Sequence, residues 1–143
     1  MKLENLFGEM DIQRQLIKLA RAMDEQDWGA VERILTPDIY ADLGTGGIRG
    51  SSTVIGLIKS YLENCGATQH LLGNILIEID GDTATSESYV SDVHLSKDTS
   101  LDISFRTLGN YSDTWVKIDG EWRIAKRIKN NRATLGSMTV FKS

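Results

Sequence analysis

Apolar residues in the first part of the chain recur every three or four positions. Ile12, Leu16, Leu19, Ala20 and Met23 share one helical stripe, and Arg14, Lys18, Arg21 and Glu25 fill the opposite face. Asp11 is placed to cap this helix, which is expected to run to Asp24–Gln26. Asp27 opens a second, short helix through Val31, Ile34 and Leu35. Thr36-Pro37-Asp38 ends it, because the residue before a proline is pushed out of the helical region. A short strand is predicted around residues 39–43, then a loop over the glycine cluster Gly44–Gly50. Ser51 or Ser52 caps a third helix with Ile55, Ile58, Tyr61, Leu62 and Cys65 on one face and Gly66 as its C′ residue.

Beyond Gly66 the period shortens towards two. Segments 70–79, 83–95, 101–118 and 122–129 read as strands. Asp80-Gly81-Asp82 and Asp119-Gly120 mark tight turns between them. Three helices followed by a meander of long antiparallel strands define an α+β protein with the helices packed on one face of a curved sheet. No repeat, low-complexity tract or linker interrupts the pattern, so residues 1–143 are read as one domain.

Charge and composition narrow the function. The net charge of −4 and a pI near 5.1 argue against a nucleic-acid partner or a basic membrane-surface protein. An apolar content of 41% suffices for a core. No apolar run approaches the ~18 residues of a spanning helix, and the start MKLENLFGEMDI lacks the apolar segment of a signal peptide. A cytoplasmic protein is therefore expected. A single cysteine, Cys65, excludes an intrachain disulfide. His70 and His94 are the two histidines, and their spacing suggests no metal site.

Two residues do not fit a plain core. Asp24 projects inside the apolar arc of the first helix, between Ala20 and Ile17, where a carboxylate needs a partner. Near a helix end it could also reach solvent or cap the next turn. His70 opens an otherwise apolar strand, as a structural histidine or as half of an acid/base pair. A carboxylate that fixes a histidine's tautomer and stabilises its protonated form would make a centre active near neutral pH without metal or cofactor.

Four segments carry a family resemblance. They are Ile12-Gln13 with the helix end Met23-Asp24-Glu25-Gln26-Asp27-Trp28; Leu35-Thr36-Pro37-Asp38 with Tyr40 and Asp42; Thr68-Gln69-His70-Leu71-Leu72-Gly73-Asn74; and Lys117-Ile118-Asp119-Gly120-Glu121-Trp122-Arg123-Ile124. In this order they resemble the SnoaL-like group of the nuclear-transport-factor-2-like superfamily, which includes scytalone dehydratase and hexachlorocyclohexane dehydrochlorinase. The resemblance implies a cone: a curved mixed sheet wrapped around three N-terminal helices, an α+β barrel with an internal pocket. It implies an Asp24–His70 dyad and matches Arg127 to an arginine that the dehydrochlorinase uses. On the residues alone, Arg127 reads as a surface cation beside Lys126 and Lys129. The chain departs from related dehydratases at Leu19, where they carry a tyrosine or lysine.

The implied activity is a cofactor-independent lyase or isomerase for a small, largely apolar cyclic or carbonyl compound. His70 would be the base, Asp24 its orienting partner, and Arg127 or a tyrosine the polarising group. Tyr40, Asn74, Tyr89, Arg106, Tyr111 and Asp113 are candidates for the pocket lining, with strand parity deciding which point inward. His94 reads as a strand-end residue, and Trp115 and Trp122 as core. A polyketide cyclase or epoxide hydrolase using Asp113, Tyr111 and Arg106 is the alternative, as is a non-catalytic binding or assembly module. The aromatic and branched residues of the last two strands exceed what one cavity face hides, so a homodimer or homotrimer is expected.

Overall fold

The computed structural model describes residues 2–142. Helix α1 (Leu3–Glu25) and the short α2 (Trp28–Ile34) precede strands β1 (Leu35–Asp42) and β2 (Gly47–Arg49). Helix α3 (Ser51–Leu62) follows, then four long strands: β3 (Thr68–Asp80), β4 (Thr83–Leu95), β5 (Ser104–Ile118) and β6 (Glu121–Gly136). A 3₁₀ turn over Met138–Phe141 ends the described chain. The strands form one mixed sheet in the order β2-β1-β6-β5-β4-β3. β1 runs parallel to β6 and the other pairs are antiparallel. β2 and β3 remain edges, so the sheet curls around the helices without closing into a barrel.

Most elements form where the pattern places them, and the differences have local causes. α1 begins eight residues before Asp11, at Leu3, and leaves Leu3, Leu6, Phe7 and Met10 exposed along its first turns. Asp27 caps α2 by accepting from the Ala30 N–H at 3.1 Å. α3 ends at Leu62, ahead of Gly66, whose N–H instead donates to the Leu95 carbonyl at 2.7 Å. A Cβ on Gly66 would meet the Ser96 carbonyl oxygen at 2.5 Å, so this glycine permits a close approach of two backbones. The glycine loop contains the short strand β2, which pairs with β1 through Tyr40 and Arg49.

The core fills the concave side of the sheet. Ile12, Leu16, Leu19 and Met23 of α1 pack with Val31 and Ile34 of α2, Val54 and Leu62 of α3, and Trp115, Trp122 and Ile124 of the sheet. The Trp115 indole N–H donates to the Ser86 hydroxyl at 2.9 Å, satisfying its polar edge inside the core. No helix among the described residues is long and apolar enough to cross a membrane.

Two irregularities set which side chains face inward. In β3 the register with β4 shifts between Gly73 and Leu76, and Asn74 there has φ = 50°. Before the shift Thr68, His70 and Leu72 turn inward; after it Ile75, Ile77 and Ile79 do. In β6 the register with β5 shifts near Ala125, where Trp115 pairs with Ile124 and Thr114 with Lys126. Trp122 and Ile124 face inward before this point, and Arg127 and Lys129 after it. One extra residue exchanges the two faces of a strand.

Candidate active site

An apolar cavity of about 230 Å³ lies between the helices and the concave sheet. Leu19, Met23, Val54 and Ile58 close it from the helices, and Phe105, Met138 and Phe141 close it from the far end. The sheet supplies His70, Asp92, His94, Thr107, Tyr111, Arg127, Lys129 and Asn131 to its polar wall, and Thr45 and Tyr61 add two hydroxyls from the loop after β1 and from α3.

Asp24 and His70 are joined. The last turn of α1 brings the Asp24 carboxylate against the first residues of β3. There Oδ1 lies 2.7 Å from His70 Nδ1 and accepts from the Thr68 hydroxyl at 2.9 Å, while Oδ2 accepts from the His70 backbone N–H at 3.1 Å. Burial raises the Asp24 carboxyl pKa, but the bonds from the His70 ring and backbone, its charge and the Thr68 hydroxyl outweigh this and hold it below the ordinary value. Asp24 is therefore a carboxylate that accepts, so Nδ1 of His70 carries a hydrogen, and in the neutral ring the lone pair falls on Nε2. The His70 side chain is 6% exposed and lines the cavity.

A second cluster faces Nε2. Asp92 and His94 occupy alternate inward positions of β4. Asp92 Oδ2 lies 3.9 Å from His70 Nε2, too far for a hydrogen bond, and accepts from Lys129 Nζ at 2.6 Å. Asp92 Oδ1 accepts from the Thr107 N–H at 3.1 Å and from its hydroxyl. Lys129 also donates to the Thr107 hydroxyl oxygen at 3.0 Å. Burial works against the Asp92 charge, but Lys129 and Thr107 together hold its pKa below the ordinary value. His94 stands edge-on to His70, with ring centroids 5.8 Å apart, and its Nδ1 lies 3.0 Å from the Phe105 carbonyl. Burial lowers its pKa, which favours the neutral ring. Potential ligand atoms of His70, Asp92 and His94 lie within 4.8 Å of one another, a donor set suited to a divalent cation. Lys129 already places a cation on this carboxylate.

Arg127 and Asp113 form a separate, closed pair. Nε and Nη2 of Arg127 donate to the two Asp113 oxygens at 2.8 and 2.9 Å, and the guanidinium stacks 3.7 Å from the Tyr111 ring centroid. Burial opposes the Arg127 charge, but Asp113 outweighs it and holds the guanidinium protonated.

The pocket expectations divide by parity. Tyr111 lines the cavity, and Asp113 is buried against Arg127. Tyr40, Asn74, Tyr89 and Arg106 do not line it. Tyr40 alternates with the inward Ile39 and Ala41 and sits near Arg49 and Lys126. Asn74 is exposed at the β3 irregularity. Tyr89 is 45% exposed near Arg132, and Arg106 is exposed beside the inward Thr107. The reading of Arg127 and Lys129 as surface cations is corrected as well, since the irregularity near Ala125 turns both inward. Asp92, Thr107 and Lys129 were not anticipated, and His94, read as a strand-end residue, stands next to the last residue of β4 and is buried. The alternation of small polar and apolar residues along 83–95 is the signal for Asp92 and His94, because it puts them on the face of Ala84 and Val90.

Residues 6–128 match the SnoaL-like domain family, and the chain belongs to it. An uncharacterized protein of Mycobacterium tuberculosis is 30% identical over 122 residues, covering 84% of this chain and 82% of that protein. Among solved structures, a scytalone dehydratase candidate from Novosphingobium aromaticivorans superposes with a TM-score of 0.85 at 21% identity, covering 93% of this chain and 89% of its own. A hexachlorocyclohexane dehydrochlorinase from Novosphingobium barchaimii superposes at 0.81 with 17% identity, covering 94% and 93%. These likenesses show the cone-shaped fold of a curved mixed sheet over three helices.

Proposed function

We propose that this protein is a cofactor-independent lyase or isomerase of the dehydratase or dehydrohalogenase type. Its substrate is a small, largely apolar cyclic or carbonyl compound. The observation that carries this reading is the 2.7 Å contact between Asp24 and His70 at the wall of an apolar cavity. Nε2 of His70 removes a proton from substrate carbon. Asp24 fixes the tautomer and stabilises the imidazolium, and Asp92 adds negative potential on the other side of the ring. The imidazolium then returns the proton to a leaving hydroxyl or to another carbon; with a halide leaving group, solvent receives it. Arg127 and Tyr111 supply a fixed positive edge to the wall, with two guanidinium nitrogens committed to Asp113.

The cyclase or hydrolase alternative draws less support. Arg106 faces away from the cavity, and Asp113 is enclosed by Arg127. A cavity that stands open, with the dyad formed, also favours catalysis over a purely structural module.

Turnover of hydroxylated and halogenated cyclic compounds and of cyclic ketones tests the reading. His70→Gln is expected to lower kcat by roughly 10²–10⁴, and Asp24→Asn by the order of 10², with folding retained by circular dichroism. Unchanged turnover in a folded His70→Ala variant would overturn it. Self-association belongs to the same proposal. Leu71, Tyr89 and Leu108 line an exposed depression on the convex face, which a second copy would cover. Light scattering should give a dimer or trimer at micromolar concentration, and a monomer would contradict this.

A further inference from the structure

The base proposed above has a cation beside it that the family resemblance did not anticipate. Lys129 Nζ and His70 Nε2 both approach one atom, Asp92 Oδ2, at 2.6 and 3.9 Å. The ammonium and His70 Nε2 therefore face the same carboxylate oxygen on one wall of the cavity. An ammonium has three N–H donors. Two are accounted for by Asp92 and Thr107, which leaves one for a ligand among the described residues. Asp92 is itself held by the Thr107 N–H and hydroxyl, so the ammonium is positioned before any substrate arrives. The Lys129 side chain is 13% exposed, against 1% for Asp92, and it lines the cavity.

We infer that Lys129 receives the carbonyl oxygen of an enolisable substrate and holds it as it becomes an enolate oxygen. This rests on His70 acting as the base. His70 Nε2 takes the α-proton, and the C–H electron pair becomes the carbon–carbon double bond of an enolate. The carbonyl π pair moves onto oxygen, where the Lys129 N–H donates to the developing charge. The oxygen pair then returns to re-form the carbonyl as the enolate double-bond pair takes the proton back from the His70 imidazolium. The net change is exchange or movement of a proton on the substrate, and no electrons are exchanged with a co-reactant. A fixed N–H donor in an apolar cavity gains most from an oxygen that becomes anionic, and little from a carbon-bound halogen. The lining by Leu19, Met23, Val54, Ile58, Phe105 and Phe141 suits the hydrocarbon body of such a substrate.

The test uses 4-nitrophenol, whose phenolate imitates a small enolate and is read by its visible absorbance. In the wild-type protein the bound phenol is expected to ionise about one pH unit or more below the free compound, a tenfold preference for the anion. Lys129→Met should remove that preference. Because it leaves Asp92 unpaired, the double variant Asp92→Asn/Lys129→Met is measured alongside and should behave the same. Binding of 4-nitroanisole, which cannot ionise, should stay within about twofold in every variant and reports an intact cavity. His70→Gln should keep the phenolate signal. Deuterium exchange of the α-protons of cyclohexanone, followed by NMR, reads the base separately. His70→Gln should abolish enzymatic exchange, and Lys129→Met should slow it by roughly 10²–10³.

Phenolate binding that survives in both lysine variants overturns the inference. So does binding lost in His70→Gln and kept in Lys129→Met, which would assign the anion to the imidazolium. A covalent adduct on Lys129 after borohydride treatment with the ketone also overturns it, since the lysine would then act as a nucleophile. Phenolate held by Lys129 without any α-proton exchange supports the oxygen site and overturns His70 as base, so the two readings fail separately.

Discussion

Two buried ion pairs stand on the concave face of the same sheet, and they differ in what they leave open. Asp113 and Arg127 meet through two parallel hydrogen bonds, and their side chains are 0% and 7% exposed. Tyr111 covers the guanidinium plane. Asp92 and Lys129 meet through one short contact, and the lysine keeps a donor for the cavity. The guanidinium fork matches a carboxylate, so its Nε–Nη2 edge is taken up within the pair and its plane is covered by Tyr111. The ammonium is a compact charge that satisfies Asp92 and Thr107 and still serves a third acceptor. The closed pair holds the wall, while the open pair, beside His70, is placed for chemistry.

The largest effect should come from opening the closed pair. Arg127→Met leaves Asp113 buried without a partner, and a loss of about 3–5 kcal/mol is expected in urea unfolding. Lys129→Met should cost less, about 1–3 kcal/mol, because Asp92 keeps the Thr107 N–H and hydroxyl. Equal losses, or a stable Arg127→Met protein without activity, would break the distinction between the pairs.

A smaller effect sharpens it through pH. The native pKa of His94 lies below its ordinary value, so the unfolded chain binds the proton more readily. Stability is then full above about pH 6.5 and falls as the pH drops through that value towards the depressed native pKa. Asp24 and Asp92 also titrate below their ordinary values. Their contribution is present above about pH 3.9 and is lost as the pH falls through the native values. Thermal melting against pH should show two acid steps, and His94→Asn should remove the first. A profile flat between pH 7 and 5 would contradict the buried, neutral His94.

The smallest effect concerns the convex face. Arg106→Ala should change stability by no more than about 0.5 kcal/mol and leave turnover within twofold, since Arg106 is exposed and faces away from the cavity. A large loss of turnover would return Arg106 to the site.

Much of the Asp24–His70 contact was readable before the fold was known. A carboxylate within the apolar arc of a helix requires a partner, and a histidine opening an apolar strand is a suitable one. The strand over 83–95 formed with the bounds its alternation gave, and that alternation also fixed the shared face of Asp92 and His94. Tyr40, Tyr89 and Arg106 were misassigned because polarity says what a residue can do and parity says where it points. Each alternates with an inward neighbour: Ile39 and Ala41, Val90, and Thr107.

The sequence by itself determined the helices, the long strands, their turns and the need to neutralise an inward carboxylate, because these follow from local periodicity and the cost of burying charge. Only the tertiary structure decided which cations enter the cavity. Continued alternation from Trp122 and Ile124 would turn Lys126 and Ile128 inward, leaving Arg127 and Lys129 in water. The register shift near Ala125 reverses the faces and delivers Arg127 to Asp113 and Lys129 to Asp92. A bulge depends on the partner strand as much as on its own residues, so its position is settled only when the sheet is assembled.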